Sequence, residues 1–114
     1  MIVNNQTLLL QHATGTACIS IDAIIHIEAI SNYSKLFFAD GKTLVVAKVL
    51  KWFEPLLAGR GFVRVHRSHL VNTAWIASFD LFELKLTLRN NCCIAVSRRK
   101  KHNLDQTGLL DLAA

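Results

Sequence analysis

The chain has 114 residues, of which 52% are hydrophobic and 18% are charged, and its formal net charge at pH 7 is +5. This length and composition exclude a disordered chain and predict one globular domain over residues 1–114. No apolar run approaches membrane-spanning length and the first residues lack the charged start of a signal peptide, so we expect a cytoplasmic protein without membrane insertion.

The first half of the chain predicts short strands separated by turns. Three strand candidates come first, at residues 7–10, 17–21 and 23–30. In the third, Ile25, Ile27 and Ala29 are predicted to share one face, with His26 and Glu28 on the other. The residues SNYS predict a turn, and the pair DG between KLFFA and KTLVVA predicts a hairpin.

One segment has helical periodicity instead. In VAKVLKWFEPLLAG, apolar residues recur at i, i+3, i+4 and i+7 from Val46 to Phe53, which predicts an amphipathic helix. Pro55 lacks a backbone N–H and is expected to end or kink this helix near Glu54, with Gly59 stopping the last turn.

Strands resume after the helix. In FVRVHR, Val63 and Val65 alternate with polar neighbours and are predicted to face the core. TAWIASF, FELKLTL and CCIAVS are further strand candidates, and the last two form a predicted hairpin in which Asn90 or Asn91 takes a positive φ. The tail RRKKHNLDQTGLL allows one short helical turn. The predicted architecture is therefore mainly β with one or two short helices.

Cysteine and histidine spacing argues against disulfides and metal binding. An odd set of three cysteines, Cys18, Cys92 and Cys93, is a poor disulfide framework and contains no Cys-x-x-Cys pair. His66 and His69 have His-x-x-His spacing, and His12, His26 and His102 could join them. Residues i and i+3 of a strand point to opposite faces, however, and the surrounding cations oppose another cation. We expect no metal and no cofactor.

The positive charge is concentrated in two segments. No nucleophile elbow or phosphate-binding loop is present, so we expect no enzyme. Seven of the thirteen lysines and arginines lie in segments 60–67 and 98–101, which contain no acid: Arg60, Arg64, Arg67, Arg98, Arg99, Lys100 and Lys101. Solvated surface loops would account for this pattern, and so would a polyanionic partner. Phe62 is the only aromatic residue in either segment, which disfavours single-strand stacking and favours a duplex.

The segments IIHIEAISNYSKLFF, FVRVHRSHLVN and VSRR, in this order and separation, resemble LytTR DNA-binding domains, the effector domains of many bacterial response regulators. The resemblance covers about residues 20–101. It implies an elongated array of antiparallel sheets with short helices, in which loops read consecutive major grooves and bend the DNA.

The resemblance also implies individual contacts. The loop after the third strand supplies Ser34 and Lys35 as base-reading candidates, the loop after RVH supplies Arg67, and the VSRR end supplies Arg98. The expected phosphate contacts are the remaining polar residues of the two segments: Arg64, His66, Ser68, Arg99, Lys100 and Lys101. His66 is also a candidate for shaping its loop, and Asn72 for closing a turn through its side chain.

The expected function is sequence-specific binding of double-stranded DNA by a bacterial transcriptional regulator. Duplex DNA is the expected partner, and a second copy on repeated half-sites is a further candidate. A protein-interaction module that pairs with a membrane sensor or inhibitor is the alternative. The chain has no room for a receiver domain, so it is expected to be either a free-standing protein or a domain excised from a longer one.

Overall fold

The structure is a computed structural model that describes residues 2–105. Within this range the chain forms eleven strands: β1 (Ile2–Asn4), β2 (Thr7–His12), β3 (Gly15–Ser20), β4 (Ile24–Ile30), β5 (Tyr33–Phe38), β6 (Thr43–Val46), β7 (Phe62–His66), β8 (His69–Asn72), β9 (Ile76–Asp80), β10 (Lys85–Leu88) and β11 (Cys93–Ala95). The α-helices are α1 (Leu50–Leu57) and α2 (Lys101–Asp105), and 3-10 turns occupy Ile21–Ala23 and Thr73–Trp75.

The strands form three antiparallel sheets. Their strand orders are β1-β2-β3, β6-β5-β4-β8-β7 and β11-β10-β9. The molecule measures 43 × 28 × 25 Å along its principal axes, so it is elongated. The predicted mainly-β, multi-sheet architecture with short helices is confirmed. None of the helices between residues 2 and 105 has the length and hydrophobicity needed to cross a bilayer.

The five-stranded sheet is covered on both faces. One face packs against the β1–β3 sheet and α1, in a core cluster that includes Leu8, Leu36 and Phe53. The other face packs against the β9–β11 sheet and α2, in a second cluster that includes Val65 and Leu86. Strand β4 lies at the centre of this sheet, between β5 and β8, so side chains on both of its faces are buried.

The predicted face assignment in β4 holds for Ile27 and Ala29 but is wrong for Ile25. The pairing of β4 with β5 slips between Ile24 and His26, which makes Ile25 the extra residue of a β-bulge. Ile25 packs into the second core cluster, whereas Ile27 is buried in the first and Ala29 packs against it. Alternation within the sequence cannot reveal such a bulge, because the bulge is a shift in the pairing of β4 with β5 and Ile25 is buried on either face.

Helix α1 also differs from its prediction. It begins at Leu50, because Val46 belongs to β6, and it continues through Pro55 to Leu57. A proline inside a helix costs about 3 kcal/mol. The side chains of Phe53 and Leu57 are fully buried, and burying such a side chain contributes about 1.5–3 kcal/mol. Packing of the apolar face therefore offsets the cost of the proline.

The turn predictions hold in part. The observed turn covers only residues 31–32 of the predicted turn SNYS, because the following residues already belong to β5. The DG hairpin between β5 and β6 is confirmed: Asp40 Oδ1 accepts a hydrogen bond from the Lys42 amide at 2.9 Å, and Gly41 has φ +87°. Asn91 takes the predicted positive φ, +67°.

Candidate nucleic-acid interface

A tight turn at residues 67–68 presents Arg67 to solvent. The turn joins β7 to β8. Strand β7, from which it extends, is fixed because Val63 and Val65 pack into the second core cluster, as predicted. His66 Nδ1 accepts a hydrogen bond from the Ser68 amide at 3.1 Å. This bond supports the loop-shaping role of His66.

The Arg64 side chain holds this turn from inside. Its Nε donates to the His66 carbonyl at 2.9 Å and its Nη2 donates to the Arg67 carbonyl at 2.5 Å. Its Nη1 forms an ion pair with Glu54 Oε1 at 2.7 Å, and only 15% of the side chain is exposed. The predicted phosphate contact of Arg64 is therefore corrected to a structural role, since its guanidinium is engaged within the protein.

The second basic segment is attached to the same strand. The Ser97 amide donates to the Val65 carbonyl at 2.9 Å, and Asn103 Nδ2 donates to the Arg64 carbonyl at 2.7 Å. Ser97 Oγ in turn accepts from the Lys100 amide at 3.1 Å, which shapes the turn before α2. The two basic segments are therefore held next to each other by β7.

The cations of the two basic segments line two neighbouring surface concavities. One lies between the two segments and is lined by Arg64, His66, Arg67, Ser97, Arg99 and Lys100. The other is lined by Arg98 and Lys101 together with three residues of the β9–β10 connection, of which Phe82 is 95% exposed. The structure thus brings Arg67 together with Arg99 and Lys100, and places Arg98 in the neighbouring concavity.

The first predicted loop contact needs correction. Ser34 is fully buried in β5, and its hydroxyl donates to the Lys48 carbonyl at 2.6 Å. A side chain in this position cannot reach a DNA base, because β5 begins two residues earlier than the predicted loop required. Lys35 is half-buried and lies within β5 rather than in the loop, with its Nζ 5.2 Å from the centre of the Phe37 ring. The exposed residues of this turn are Ser31 and Asn32.

Five of the seven clustered cations remain available for a partner. Arg60 Nη1 donates to the Asn5 carbonyl at 2.5 Å and Arg64 is paired with Glu54. Within residues 2–105, no hydrogen bond or ion pair engages the side chains of the other five: Arg67, Arg98, Arg99, Lys100 and Lys101.

The structure also assembles a group of polar residues that the sequence analysis missed. Glu28 of β4 lies directly opposite His69 of β8, and His26 precedes Glu28 by two residues. Burial and, to a smaller extent, the charge of the neighbouring His69 together lower the pKa of His26 from 6.5 to about 4. Burial also lowers the pKa of His69, an effect that Glu28 opposes and His66 reinforces. Only the strand register joins these residues, so no local spacing could have indicated the group.

Asn72 closes the turn after β8, as predicted. Its Oδ1 accepts from the Ala74 amide at 3.1 Å, and its Nδ2 donates to the Ile24 carbonyl at 2.9 Å. The side chain thereby connects the end of β8 to the start of β4.

Comparison with known proteins identifies the family. The model of the LytTr DNA-binding domain matches residues 14–108, and the chain therefore belongs to the LytTR family of DNA-binding domains. Among solved structures, a LytTr DNA-binding domain from Bacillus cereus is similar, with a TM-score of 0.76 and 21% sequence identity over 90% of this chain and 96% of that chain. At this identity the likeness establishes the fold. A comparison with curated proteins gave no match.

Proposed function

We propose that this LytTR domain binds double-stranded DNA sequence-specifically in the major groove and thereby regulates transcription in the cytoplasm of a bacterium. The observation that carries the proposal is the attachment of both basic segments to β7, through the Arg64 side chain on one side and the bonds from Ser97 and Asn103 on the other. Rigidly held cations can be placed against a groove without a large loss of conformational freedom on binding.

The proposed contacts fall into two groups. Arg67 and Arg98 read bases, because the planar guanidinium reaches O6 and N7 of guanine together, and Lys35 assists from the start of β5. The proposed phosphate contacts are His66, Ser68, Arg99, Lys100 and Lys101. The Nδ1 of His66 is an acceptor for the Ser68 amide, so in the neutral ring Nε2 carries the proton and can donate to a phosphate.

Two further parts of the proposal concern the first loop and the arrangement of two copies on DNA. Ser31 and Asn32 take the place of Ser34 in the first loop, since they are exposed at the turn, and an asparagine amide can pair with adenine. Residues 1–114 act as one binding unit, and a second copy occupies a repeated half-site one helical turn away, which gives two units the same face of the duplex.

The salt dependence of binding tests the proposal directly. If only Arg99, Lys100 and Lys101 neutralise phosphates, log K should fall against log salt with a slope of about −2.7, at ~0.9 per phosphate. If all five available cations do so, the slope should be about −4.5. Electrophoretic mobility shifts of a duplex selected from a random pool, measured at several salt concentrations, give this value. A slope near zero would count against DNA binding through these segments.

Arg67→Ala and Lys100→Ala are expected to separate base reading from phosphate binding. The Arg67 variant should lose about 1–3 kcal/mol of binding free energy on the preferred site and relax the preference at one base position. The Lys100 variant should weaken binding to all duplexes alike and flatten the salt slope by about one. Competition with single-base variants of the site distinguishes the two outcomes.

Lys42→Ala is a matched control for these variants, because Lys42 is exposed at the β5–β6 turn, outside both basic segments. It should bind like the unmodified protein. If Arg67→Ala lowers the affinity for specific and random duplexes by the same factor, Arg67 contacts a phosphate and the base-reading assignment fails.

A further inference from the structure

Three potential metal ligands lie together on the five-stranded sheet. His26, Glu28 and His69 each place a ligand atom so that all three lie within 4.8 Å of one another. Glu28 and His69 are cross-strand partners, and His26 lies on the same face of β4 as Glu28. This arrangement follows from the β4–β8 register, so it is fixed by the main-chain hydrogen bonds of the central sheet.

Two ring nitrogens of this group are buried without a partner. The Nδ1 atoms of His26 and His69 are inaccessible to solvent and have no hydrogen-bond partner within residues 2–105. His26 is only 1% exposed. Buried polar atoms nearly always have a partner, since an unsatisfied one costs about 1–3 kcal/mol. Two such atoms within one group of neighbouring side chains therefore need a physical explanation.

Ordinary core packing explains only part of this environment. The His26 ring stacks on Phe37, with centroids 4.2 Å apart and an angle of 7° between the planes. Stacking accounts for the position of the ring, but it leaves the Nδ1 lone pair or proton unsatisfied. Glu28 forms no ion pair within residues 2–105, because the Nζ of its cross-strand neighbour Lys35 lies over Phe37 instead.

We propose that His26, Glu28 and His69 form a binding site for a divalent transition-metal ion, with Zn²⁺ as the best match. Two imidazoles and one carboxylate are a common protein ligand set for zinc, and water completes a four-coordinate shell. Calcium and magnesium prefer oxygen ligands throughout, so two nitrogen donors disfavour them. Glu28 and His69 are only half-buried, which leaves a path for the ion from the surface.

The site lies where it would stiffen the proposed DNA-reading turn. The Ala29 amide, next to Glu28, donates to the carbonyl of Ser68, next to His69, at 2.9 Å. An ion held by Glu28 and His69 would add a second cross-link between β4 and the start of β8. This consequence for DNA binding rests on the proposed function, whereas the metal site itself does not.

Zn²⁺ titration of the full chain tests the site without DNA. The protein is stripped with a chelator, the chelator is removed, and Zn²⁺ binding is measured by isothermal titration calorimetry and by the shift of the thermal midpoint. We expect one Zn²⁺ per chain and a higher midpoint. His69→Phe and Glu28→Gln should each weaken binding by more than the roughly 10–100-fold that loss of an outer-shell partner costs. His102→Ala, which removes an exposed histidine outside the group, should bind Zn²⁺ normally.

X-ray absorption of the Zn²⁺-loaded unmodified protein gives a readout that does not depend on any variant folding. Scattering from two imidazole rings is expected. Absence of imidazole scattering, or unchanged Zn²⁺ affinity in folded Glu28→Gln, would overturn the proposal. Mobility shifts with and without Zn²⁺ then test the effect on DNA separately, so a chain that binds Zn²⁺ but no DNA would contradict only the proposed function.

Discussion

Replacing Arg64 by alanine is expected to destabilise the fold by about 3 kcal/mol and to abolish tight DNA binding, although we propose no contact of Arg64 with DNA. A single hydrogen bond to a charged group contributes about 1.5–3 kcal/mol, and Arg64 makes three such bonds from a largely buried position. We expect less than their sum, because the side chains and turn relax. Without the guanidinium, the carbonyls of His66 and Arg67 lose their common donor and the 67–68 turn loses its support.

Denaturant unfolding and mobility shifts measure the two effects of this change. Arg64→Lys is the informative second variant, since it keeps the charge but has no planar fork that could reach Glu54 and two carbonyls at once. It should lose DNA affinity nearly as strongly as the alanine variant. Arg60→Ala is the matched control from the same basic segment, because Arg60 donates one hydrogen bond to Asn5, away from the turn. Wild-type DNA affinity in Arg64→Lys would show that the charge alone matters.

Lowering the pH from 6.5 to 4 is expected to destabilise the metal-free protein by about 3 kcal/mol. The pKa of His26 falls from 6.5 to about 4 in the folded protein, chiefly because the side chain is buried. In this pH range the unfolded chain binds a proton at His26 and the folded protein does not, so acid favours unfolding. The contribution of His26 to the free energy of unfolding is therefore present above pH 6.5. It is lost as the pH falls towards 4, at ~1.4 kcal/mol per unit of pKa shift.

Urea unfolding at several pH values in the presence of chelator measures this loss. His26→Phe keeps an aromatic ring against Phe37 and removes the titrating group, so its stability should depend less on pH in this window. His69 keeps part of the dependence in that variant, because burial lowers its pKa as well. His102→Ala should behave like the unmodified protein. Identical pH dependence in the unmodified protein and His26→Phe would contradict the assignment.

Local sequence patterns predicted elements that include the two edge strands of the five-stranded sheet, β6 and β7. The β5–β6 hairpin follows from the turn preference of Asp40 and Gly41, and the burial of Val65 follows from alternation along β7. The same logic fails in β4, where both faces are covered and a bulge at Ile25 shifts the register. It also fails at Pro55, because the tertiary burial of α1 outweighs a local helix-breaking preference.

The candidate site was predictable as a set of charges, but its internal connections were not. The basic segments are visible in the sequence because their cations lie close together along the chain. The partner that removes Arg64 from the interface is Glu54, on a different element, and only the packing of α1 near β7 brings the two together. Ser34 was misplaced because the loop before it is two residues shorter than SNYS suggests. The His26–Glu28–His69 group depends entirely on cross-strand register.

The attachment of the second basic segment to β7 has a further consequence for how the protein behaves at high concentration. Strand β7 is one of the two edge strands of the five-stranded sheet. An open sheet edge is a template for pairing with another chain, and natural proteins block such edges. Here the Ser97 amide and the Asn103 side chain occupy the carbonyls of Val65 and Arg64 on β7. The residues that flank the cations of the second basic segment therefore also block this edge of the sheet against pairing with a neighbouring molecule.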